Sequence, residues 1–371
     1  MKSATARFLA AFARGAAPGV EGETLVTFAG EQRCATVYRP RDWRGGGPGW
    51  VLLHGVTIPG RHHEALRRMA RSLAAAGHAC IVPEVPPWTE LRVDPGETAT
   101  TAAAARAALT GRWGVDARRV GLMGFSVVAT WALEVAANEL RGEFAAVAAM
   151  AGYGDLHATL RGMVCGEAEW EGTVRQYRPD PYGRWIMGAN LLPLLDHDRF
   201  GGQNGRDHAA DALRVLASTA GHHGALAESP VYQTLIGDLR AGLTADARRA
   251  WDLLAPPGAA AVDIEAARDL AAAMASAALR RYPGLDPAHR LGELDAPAVL
   301  FHGRADRLIP YTETLRLASY LPPGVPKHVG ISRLVGHTKA RETRRPRNPV
   351  TLAVEAERFA ATIDFLLGTV D

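Results

Sequence analysis

The chain has 371 residues, of which 47% are hydrophobic and 22% charged, a composition typical of a globular protein. Its 42 basic and 39 acidic residues leave a formal net charge of +3, too small to indicate a nucleic-acid partner. No apolar run reaches the roughly 18 residues that span a bilayer, and the three cysteines lie far apart without a CxxC pair. We therefore expect a cytoplasmic globular protein with no nucleic-acid or membrane partner, and its oligomeric state is left open.

Residues 1–22 predict a short N-terminal helical segment. Its apolar stretch FLAAFA is too short for a signal-peptide core, and Arg14 interrupts it. A membrane-associated lipase is an alternative that rests on this stretch alone. Two alternating segments, ETLVTFAG and RCATVYRP, then predict a β-hairpin, and GWVLLHG predicts a strand that is buried on both faces.

From residue 61 to residue 153, predicted helices and buried strands alternate. The helices are predicted at 61–76, 97–111 and 127–140, and the strands at 79–86, 118–125 and 144–153. Such alternation is typical of a mostly parallel sheet with helices on both faces. The sequence therefore predicts an α/β fold.

The alternation stops at Asp155 and resumes with the strand APAVLFHG at 296–303. Helices are then predicted near 312–320 and 350–367, with the strand KHVGISRL between them. We therefore expect one α/β core, made of residues 23–154 and 289–371, that is interrupted by a large helical insertion at 155–288. Residues 155–288 are called the insertion below.

Four predicted strands end in polar or glycine-rich segments. In open parallel sheets, ligands bind outside the carboxyl ends of the strands, so these ends are candidate parts of one site. A serine hydroxyl needs a base to take its proton, and the base needs a carboxylate to orient it. The segments supply these three types as Ser126, Asp306 and His337, in that order.

These segments resemble those of the α/β-hydrolase family, which has the same order of serine, acid and histidine. LLHGVT at 52–57 is similar to the family's oxyanion-hole turn, HGRADRLIP at 302–310 to its acid-bearing segment, and LVGHTKA at 334–340 to its histidine loop. The resemblance covers residues 23–155 and 289–367. It implies a mostly parallel central sheet flanked by helices, with a helical cap formed by the insertion.

The resemblance also implies a carboxylesterase-like serine hydrolase acting on a small-molecule acyl substrate, without a cofactor or a metal. Ser126 is then the nucleophile, His337 the base and later the acid, and Asp306 the group that orients it. The backbone N–H groups of Val56 and Val127 form the oxyanion hole.

Two alternatives are weighed against this assignment. Asp155 follows the next strand, where some family members place the acid, although an aspartate there also suits a helix cap. Val128 stands where the nucleophile turn usually has a small residue, so a binding protein with weakened catalysis is a second hypothesis. Thioesterase, lactonase, peptidase, acyltransferase or C–C hydrolase chemistry would use the same three residues.

Other polar segments are interpreted mainly as structural. We expect His54 and His302 to form buried hydrogen bonds, and His328 is a weaker candidate for the base than His337 because it lies inside a predicted strand. DHDRFGGQNGRDH lacks the spacing of a metal motif and predicts a polar loop. The basic cluster at 339–347 is a solvated loop or a rim that favours anionic substrates. Four aromatic residues lie near the start of the insertion, and we expect them either to line a pocket or to anchor the insertion on the core: Trp170, Tyr177, Tyr182 and Trp185.

Overall fold

A computed structural model of the chain describes residues 3–15, 19–258, 262–335 and 348–371. The predicted base His337 and the basic cluster at 339–347 lie outside the described residues.

In the described residues, eight strands form one mixed sheet, which confirms the predicted fold class. Their order across the sheet is β1-β2-β4-β3-β5-β6-β9-β10, in which β2 is antiparallel to β1 and β4 and the remaining neighbours are parallel. A separate antiparallel hairpin is formed by β7 and β8. The strands are β1 (Gly19–Phe28), β2 (Glu31–Pro40), β3 (Gly49–Leu53), β4 (Ala79–Pro83), β5 (Val120–Phe125), β6 (Ala146–Met150), β7 (Glu167–Trp170), β8 (Thr173–Gln176), β9 (Ala298–Gly303) and β10 (Lys327–Ser332).

Helices cover both faces of the sheet and also build the insertion. They are α1 (Ser3–Arg14), α2 (Glu64–Ala76), α3 (Pro86–Thr89), α4 (Thr98–Trp113), α5 (Val127–Ala137), α6 (Leu156–Cys165), α7 (Pro181–Leu191), α8 (Gln203–His223), α9 (Gln233–Gly242), α10 (Ala245–Leu254), α11 (Ile264–Arg281), α12 (Thr312–Tyr320) and α13 (Pro349–Gly368).

The central strands are buried on both faces because successive side chains enter different apolar clusters. In β3, Val51 and Leu53 belong to one cluster, whereas Trp50 and Leu52 belong to the cluster that contains α1, α2 and α13. This alternation is the period of two expected of a β-strand. The continuous apolar runs in the sequence therefore mark strands that are covered by helices on each side.

The N-terminal helix α1 packs on the core through its apolar face. Phe8 is fully buried, and the Phe12 ring lies 5.2 Å from the Phe359 ring of α13, centroid to centroid. The stretch FLAAFA is therefore used inside the molecule. None of the described helices is both long enough and apolar enough to cross a bilayer.

The insertion consists of α6 to α11 and the small β7–β8 hairpin. Strand β8 is exposed along its whole length, so its sequence has no apolar pattern from which a strand could be predicted. Contrary to the prediction from the sequence, the polar segment at 196–208 is not a loop throughout, because α8 begins at Gln203. Its Arg206 is 2% exposed and donates to the carbonyl oxygens of Leu195, His197 and Gly201. In the described part of the chain, no three His, Cys, Asp or Glu side chains lie close enough together to hold a metal ion.

Candidate active site

Ser126 occupies a strained backbone conformation between β5 and α5. Its φ of 59° and ψ of −139° lie in a region that residues with a Cβ rarely adopt. The Ser126 N–H donates to the Met150 carbonyl oxygen at 2.8 Å, which fixes the serine against the end of β6. Strain of this kind persists only where the surrounding structure holds it, and it is concentrated at functional sites.

Gly124 lets β5 and α5 approach each other closely. A Cβ at Gly124 would lie 2.5 Å from the Val128 carbonyl oxygen and 2.7 Å from the Ala129 Cα, too close for any side chain. The next nearest atom is the Ala132 Cβ. The small residues that permit this approach on the helix side are therefore Ala129 and Ala132.

Val128 is compatible with this turn because its side chain is fully buried in an apolar cluster of the core. The backbone of Val128, rather than its side chain, is what lies nearest to Gly124. The branched residue at this position therefore gives no sign that the turn is poorly formed.

The His-Gly turn after β3 lies against Ser126. A Cβ at Gly55 would lie 3.2 Å from the Ser126 Cβ, so this glycine also allows a close approach. Val56 follows directly, and both Val56 and Val127 line the same cavity as Ser126. Val127 is the first residue of α5, so its N–H has no carbonyl partner within the helix and lies at the positive end of the helix dipole.

His54 holds this turn in place as a neutral histidine. Its Nε2 accepts a hydrogen bond from the Val85 N–H at 3.1 Å, so the ring proton is on Nδ1, which lies 2.8 Å from the Gly55 carbonyl oxygen. Burial lowers the pKa of His54 to about 4. The ring therefore joins the end of β3 to the segment after β4, the structural role expected from the sequence.

Asp306 lies in the loop after β9, with a side chain that is 1% exposed. Its Oδ1 accepts hydrogen bonds from the N–H groups of Leu308 and Ile309, at 2.8 Å and 3.0 Å. Its Oδ2 lies 3.2 Å from Nε2 of His302, a ring that is also buried. The loop thus fixes Oδ1, and His302 of β9 fixes Oδ2.

His302 connects the Asp306 loop to α12. Its Nδ1 lies 2.7 Å from the Thr314 hydroxyl, and its Nε2 lies 3.0 Å from the Ile309 carbonyl oxygen. These contacts match the buried hydrogen-bonding role expected for this histidine.

Asp155 occupies a different position and is not among the described residues that line the cavity. Its Oδ1 accepts from the Ala158 N–H at 2.7 Å, which makes it the N-cap of α6. Its backbone N–H donates to the buried carboxylate of Glu313 at 2.8 Å.

His328 is also not among the described residues that line the cavity. Its Nε2 lies 2.9 Å from the Thr362 hydroxyl on α13. Burial lowers the pKa of His328.

A cavity of about 520 Å³ joins Ser126, Asp306, Val56 and Val127. His337, the fifth predicted site residue, lies outside the described residues, but the described chain reaches the cavity wall at Leu334 and Val335.

Most of the cavity wall is apolar. Besides the loops at the ends of the strands, two other parts of the molecule contribute apolar side chains to this wall. The insertion contributes Met163, Tyr182, Gly183, Ile186 and Met187, and the helices α1, α2 and α13 contribute Leu9, Phe12, Ala13, Leu66, Met69, Leu352, Ala356 and Phe359.

The contribution of α1 to the cavity wall was not predicted from the sequence, where FLAAFA indicated only a short helical segment. The aromatic residues at the start of the insertion divide between the two expected uses. Tyr182 lines the cavity, whereas Trp185 is buried elsewhere and Trp170 packs under Arg316.

No protein-family model matches the sequence, and no curated protein sequence is similar to it. Among solved structures, a thermostable esterase from Pseudomonas putida is 16% identical over 99% of this chain and 89% of that chain, with a TM-score of 0.46. The 2,6-dihydroxy-pseudo-oxynicotine hydrolase is 14% identical over 94% of this chain and 69% of that chain, with a TM-score of 0.45.

An acylaminoacyl peptidase from Pyrococcus horikoshii is 11% identical, and the match covers 94% of this chain but 41% of the peptidase, with a TM-score of 0.45. The fold follows from the chain's own topology. The strand order with its antiparallel β2, and the strained serine between β5 and α5, give the chain the α/β-hydrolase fold.

Proposed function

We propose that the protein is a serine hydrolase that cleaves a small-molecule, ester-like acyl substrate through an acyl-enzyme on Ser126. The observation that carries this proposal is the strained backbone of Ser126 at a strand-to-helix turn, in the wall of a cavity that Asp306 also lines. Strain at such a turn exposes a nucleophile at the end of the sheet.

In the proposed reaction, Ser126 Oγ attacks the carbonyl carbon of the substrate and its proton passes to His337. The N–H groups of Val56 and Val127 donate to the oxygen that becomes negative. His337 then protonates the leaving alcohol, and a water molecule that His337 deprotonates releases the acid and restores Ser126. Asp306 would hold the His337 ring and stabilise its charged form. The role of His337 is assigned from its position in the sequence, two residues after Val335, which lines the cavity.

The apolar wall favours a substrate with sizeable apolar groups. Side chains from the insertion lie in one part of the wall, and side chains from α1, α2 and α13 lie in another. Burying apolar surface contributes roughly 25 cal/mol per Å², so a longer aliphatic group gains binding energy that a short acetyl group cannot. We therefore expect esters of medium-length chains to be better substrates than acetates.

The alternative of a binding protein with weakened catalysis rested on Val128. The buried side chain of Val128 and the backbone contact at Gly124 remove that reason.

Labelling with a fluorophosphonate probe tests the proposal directly. Wild-type protein should be labelled on the peptide that contains Ser126, and Ser126→Ala should not be labelled. Ser319→Ala is the control, since Ser319 lies on the surface of α12 and is outside the described cavity wall. Well-folded wild type that resists labelling would contradict the assignment. Ser126→Ala and His337→Ala should each abolish most turnover with little loss of stability.

A matched pair of substitutions on α1 tests the substrate class. Phe12 lines the cavity, whereas its neighbour Phe8 is buried outside the described wall. Phe12→Ala should change the ratio of kcat/KM for p-nitrophenyl octanoate and butyrate several-fold. Phe8→Ala should leave the ratio unchanged, although it should cost about 3–5 kcal/mol of stability. Equal effects of the two substitutions on the ratio would exclude α1 from substrate binding.

A further inference from the structure

The loop that carries Asp306 is held by the core on one side and by the insertion on the other. Core contacts hold Asp306 and Ile309, through His302 and the hydrogen bonds of the Asp306 carboxylate. The residues between and after them contact the insertion. A Cβ at Gly183 would lie 3.4 Å from the Leu308 side chain, and one at Gly162 would lie 3.0 Å from Pro310.

Arg307 makes the most extensive of these contacts with the insertion. Its Nη1 and Nη2 donate to the two carboxylate oxygens of Glu228, at 2.9 Å and 2.8 Å. Its Nε donates to the Arg178 carbonyl oxygen at 3.1 Å, and Nη2 also reaches the Pro179 carbonyl oxygen at 3.4 Å. Paired donation from a guanidinium to a carboxylate fixes direction as well as distance.

The backbone of Arg307 completes this junction. Its carbonyl oxygen accepts from the Asp180 N–H at 2.7 Å. Asp180 is the N-cap of α7, the helix that supplies Tyr182, Ile186 and Met187 to the cavity wall. The start of a substrate-facing helix is therefore bonded to the residue that follows Asp306.

We propose that Arg307 is a positioning residue that couples the insertion to the Asp306 carboxylate. The N–H groups of Leu308 and Ile309 that hold Asp306 Oδ1 follow Arg307 directly in the chain, so a shift of Arg307 moves these two donors. Contact between a substrate and α7 is transmitted through Asp180 and Arg307 to the carboxylate. The effect on turnover rests on the proposed function, in which Asp306 orients the base, whereas the mechanical link does not.

The chain offers a matched control for a test of this link. Arg178 also donates to Glu228, at 3.1 Å, but it belongs to the insertion and its side chain is 83% exposed. Arg307→Met and Arg178→Met therefore each remove one arginine side chain from the same carboxylate, and only the first removes side-chain hydrogen bonds that hold the Asp306 loop, while the backbone bond to Asp180 stays. Glu228→Gln reaches the junction from the insertion side, in case Arg307→Met does not fold.

Hydrogen exchange measures the link without any need for activity. In Arg307→Met, the amides of Leu308 and Ile309 should exchange at least tenfold faster than in wild type, whereas Arg178→Met should match wild type. Glu228→Gln should give an intermediate rate. Equal exchange in Arg307→Met and Arg178→Met would overturn the proposal.

Ester hydrolysis then measures the positioning role. Arg307→Met should lower kcat about tenfold with a smaller change in KM. It should also move the acidic limb of the profile of kcat/KM against pH to lower pH, because a misplaced carboxylate stabilises the protonated base less. Arg307→Lys should restore only part of the rate, since an ammonium cannot donate in paired fashion.

The two assays separate the possible failures. Faster exchange with an unchanged kcat and pH profile would show a link without a positioning role, which overturns the proposal. If wild-type protein resists the fluorophosphonate probe, the proposed function fails and the positioning role fails with it, while the exchange rates still decide whether the mechanical link exists.

Discussion

Two aspartates follow neighbouring parallel strands at the same edge of the sheet, Asp155 after β6 and Asp306 after β9. From the sequence, either could be the acid of the candidate site. In the structure, Asp306 lines the cavity with a side chain that is 1% exposed, and Asp155 caps a helix outside the described cavity wall. The same residue type at equivalent strand ends therefore serves two purposes.

The chain that follows each aspartate accounts for the difference. Helix α6 begins at Leu156, so the Asp155 side chain is used at once to satisfy a helix N–H group. After Asp306 a loop intervenes before α12 begins at Thr312, and the loop folds its own N–H groups back onto the carboxylate. His302 and Arg307 hold this loop from opposite sides. With no helix directly after it, the Asp306 carboxylate lies at the cavity wall, where the proposed reaction would use it.

The largest expected effect separates the two aspartates by activity. Asp306→Asn should lower kcat for a p-nitrophenyl ester by about 10⁴-fold, the loss seen when the acid of another serine hydrolase is replaced by its amide. Asp155→Asn should change kcat less than threefold, because asparagine caps a helix as well as aspartate does. A far greater loss in Asp155→Asn than in Asp306→Asn would reverse the assignment of the acid.

A second effect concerns what holds the segment after β6. The Glu313 carboxylate is 1% exposed, and it accepts from the N–H groups of Gly154 and Asp155 at 3.0 Å and 2.8 Å. An unsatisfied buried donor costs about 1–3 kcal/mol, so Glu313→Ala should lower the free energy of unfolding by about 3 kcal/mol. Urea denaturation measures this loss.

Glu293→Ala is the control for that measurement, because Glu293 forms an exposed pair with Arg141 and its removal should change stability by less than about 0.5 kcal/mol. Since Glu313 holds the Asp155 segment and has no hydrogen bond to Asp306, Glu313→Ala should keep kcat within about threefold at a temperature where it is folded. A selective loss of kcat without a loss of stability would mean that the two strand ends are not independent.

Much of the core was predictable from the sequence because its strands are buried on both faces. Continuous apolar runs at β3 and β9 reflect strands that are buried along their whole length. The β7–β8 hairpin escaped prediction because β8 is exposed throughout. A buried strand has a regular pattern of apolar residues, which makes it recognisable in the sequence. An exposed strand has almost no such pattern.

The residues of the candidate site could be singled out from the sequence by type, whereas their contacts could not. Ser126, Asp306 and the turn at Val56 follow predicted strands, and the sheet brings them to one cavity. The Asp306 loop is linked to the insertion by Arg307 and Glu228, which lie 79 residues apart in the sequence. No local periodicity predicts a pair with such a separation. The contribution of α1 to the cavity wall could not be predicted for a related reason. An apolar helix face has the same composition whether it packs on a core or lines a substrate cavity.

The smallest effect tests whether Asp155 acts as a cap alone. Asp155→Ala should cost about 1 kcal/mol of unfolding free energy, the typical loss when a capping side chain is removed. Asp155→Asn and Asp155→Ser should recover most of this loss, because both side chains can accept from the Ala158 N–H as Asp155 does now. Thermal or urea denaturation of the three variants, each with its kcat, gives the comparison. If the alanine and serine variants lose the same stability, the hydrogen bond to Ala158 is not the source. If all three neutral variants lose kcat to the same large extent, the charge of Asp155 contributes to the candidate site after all.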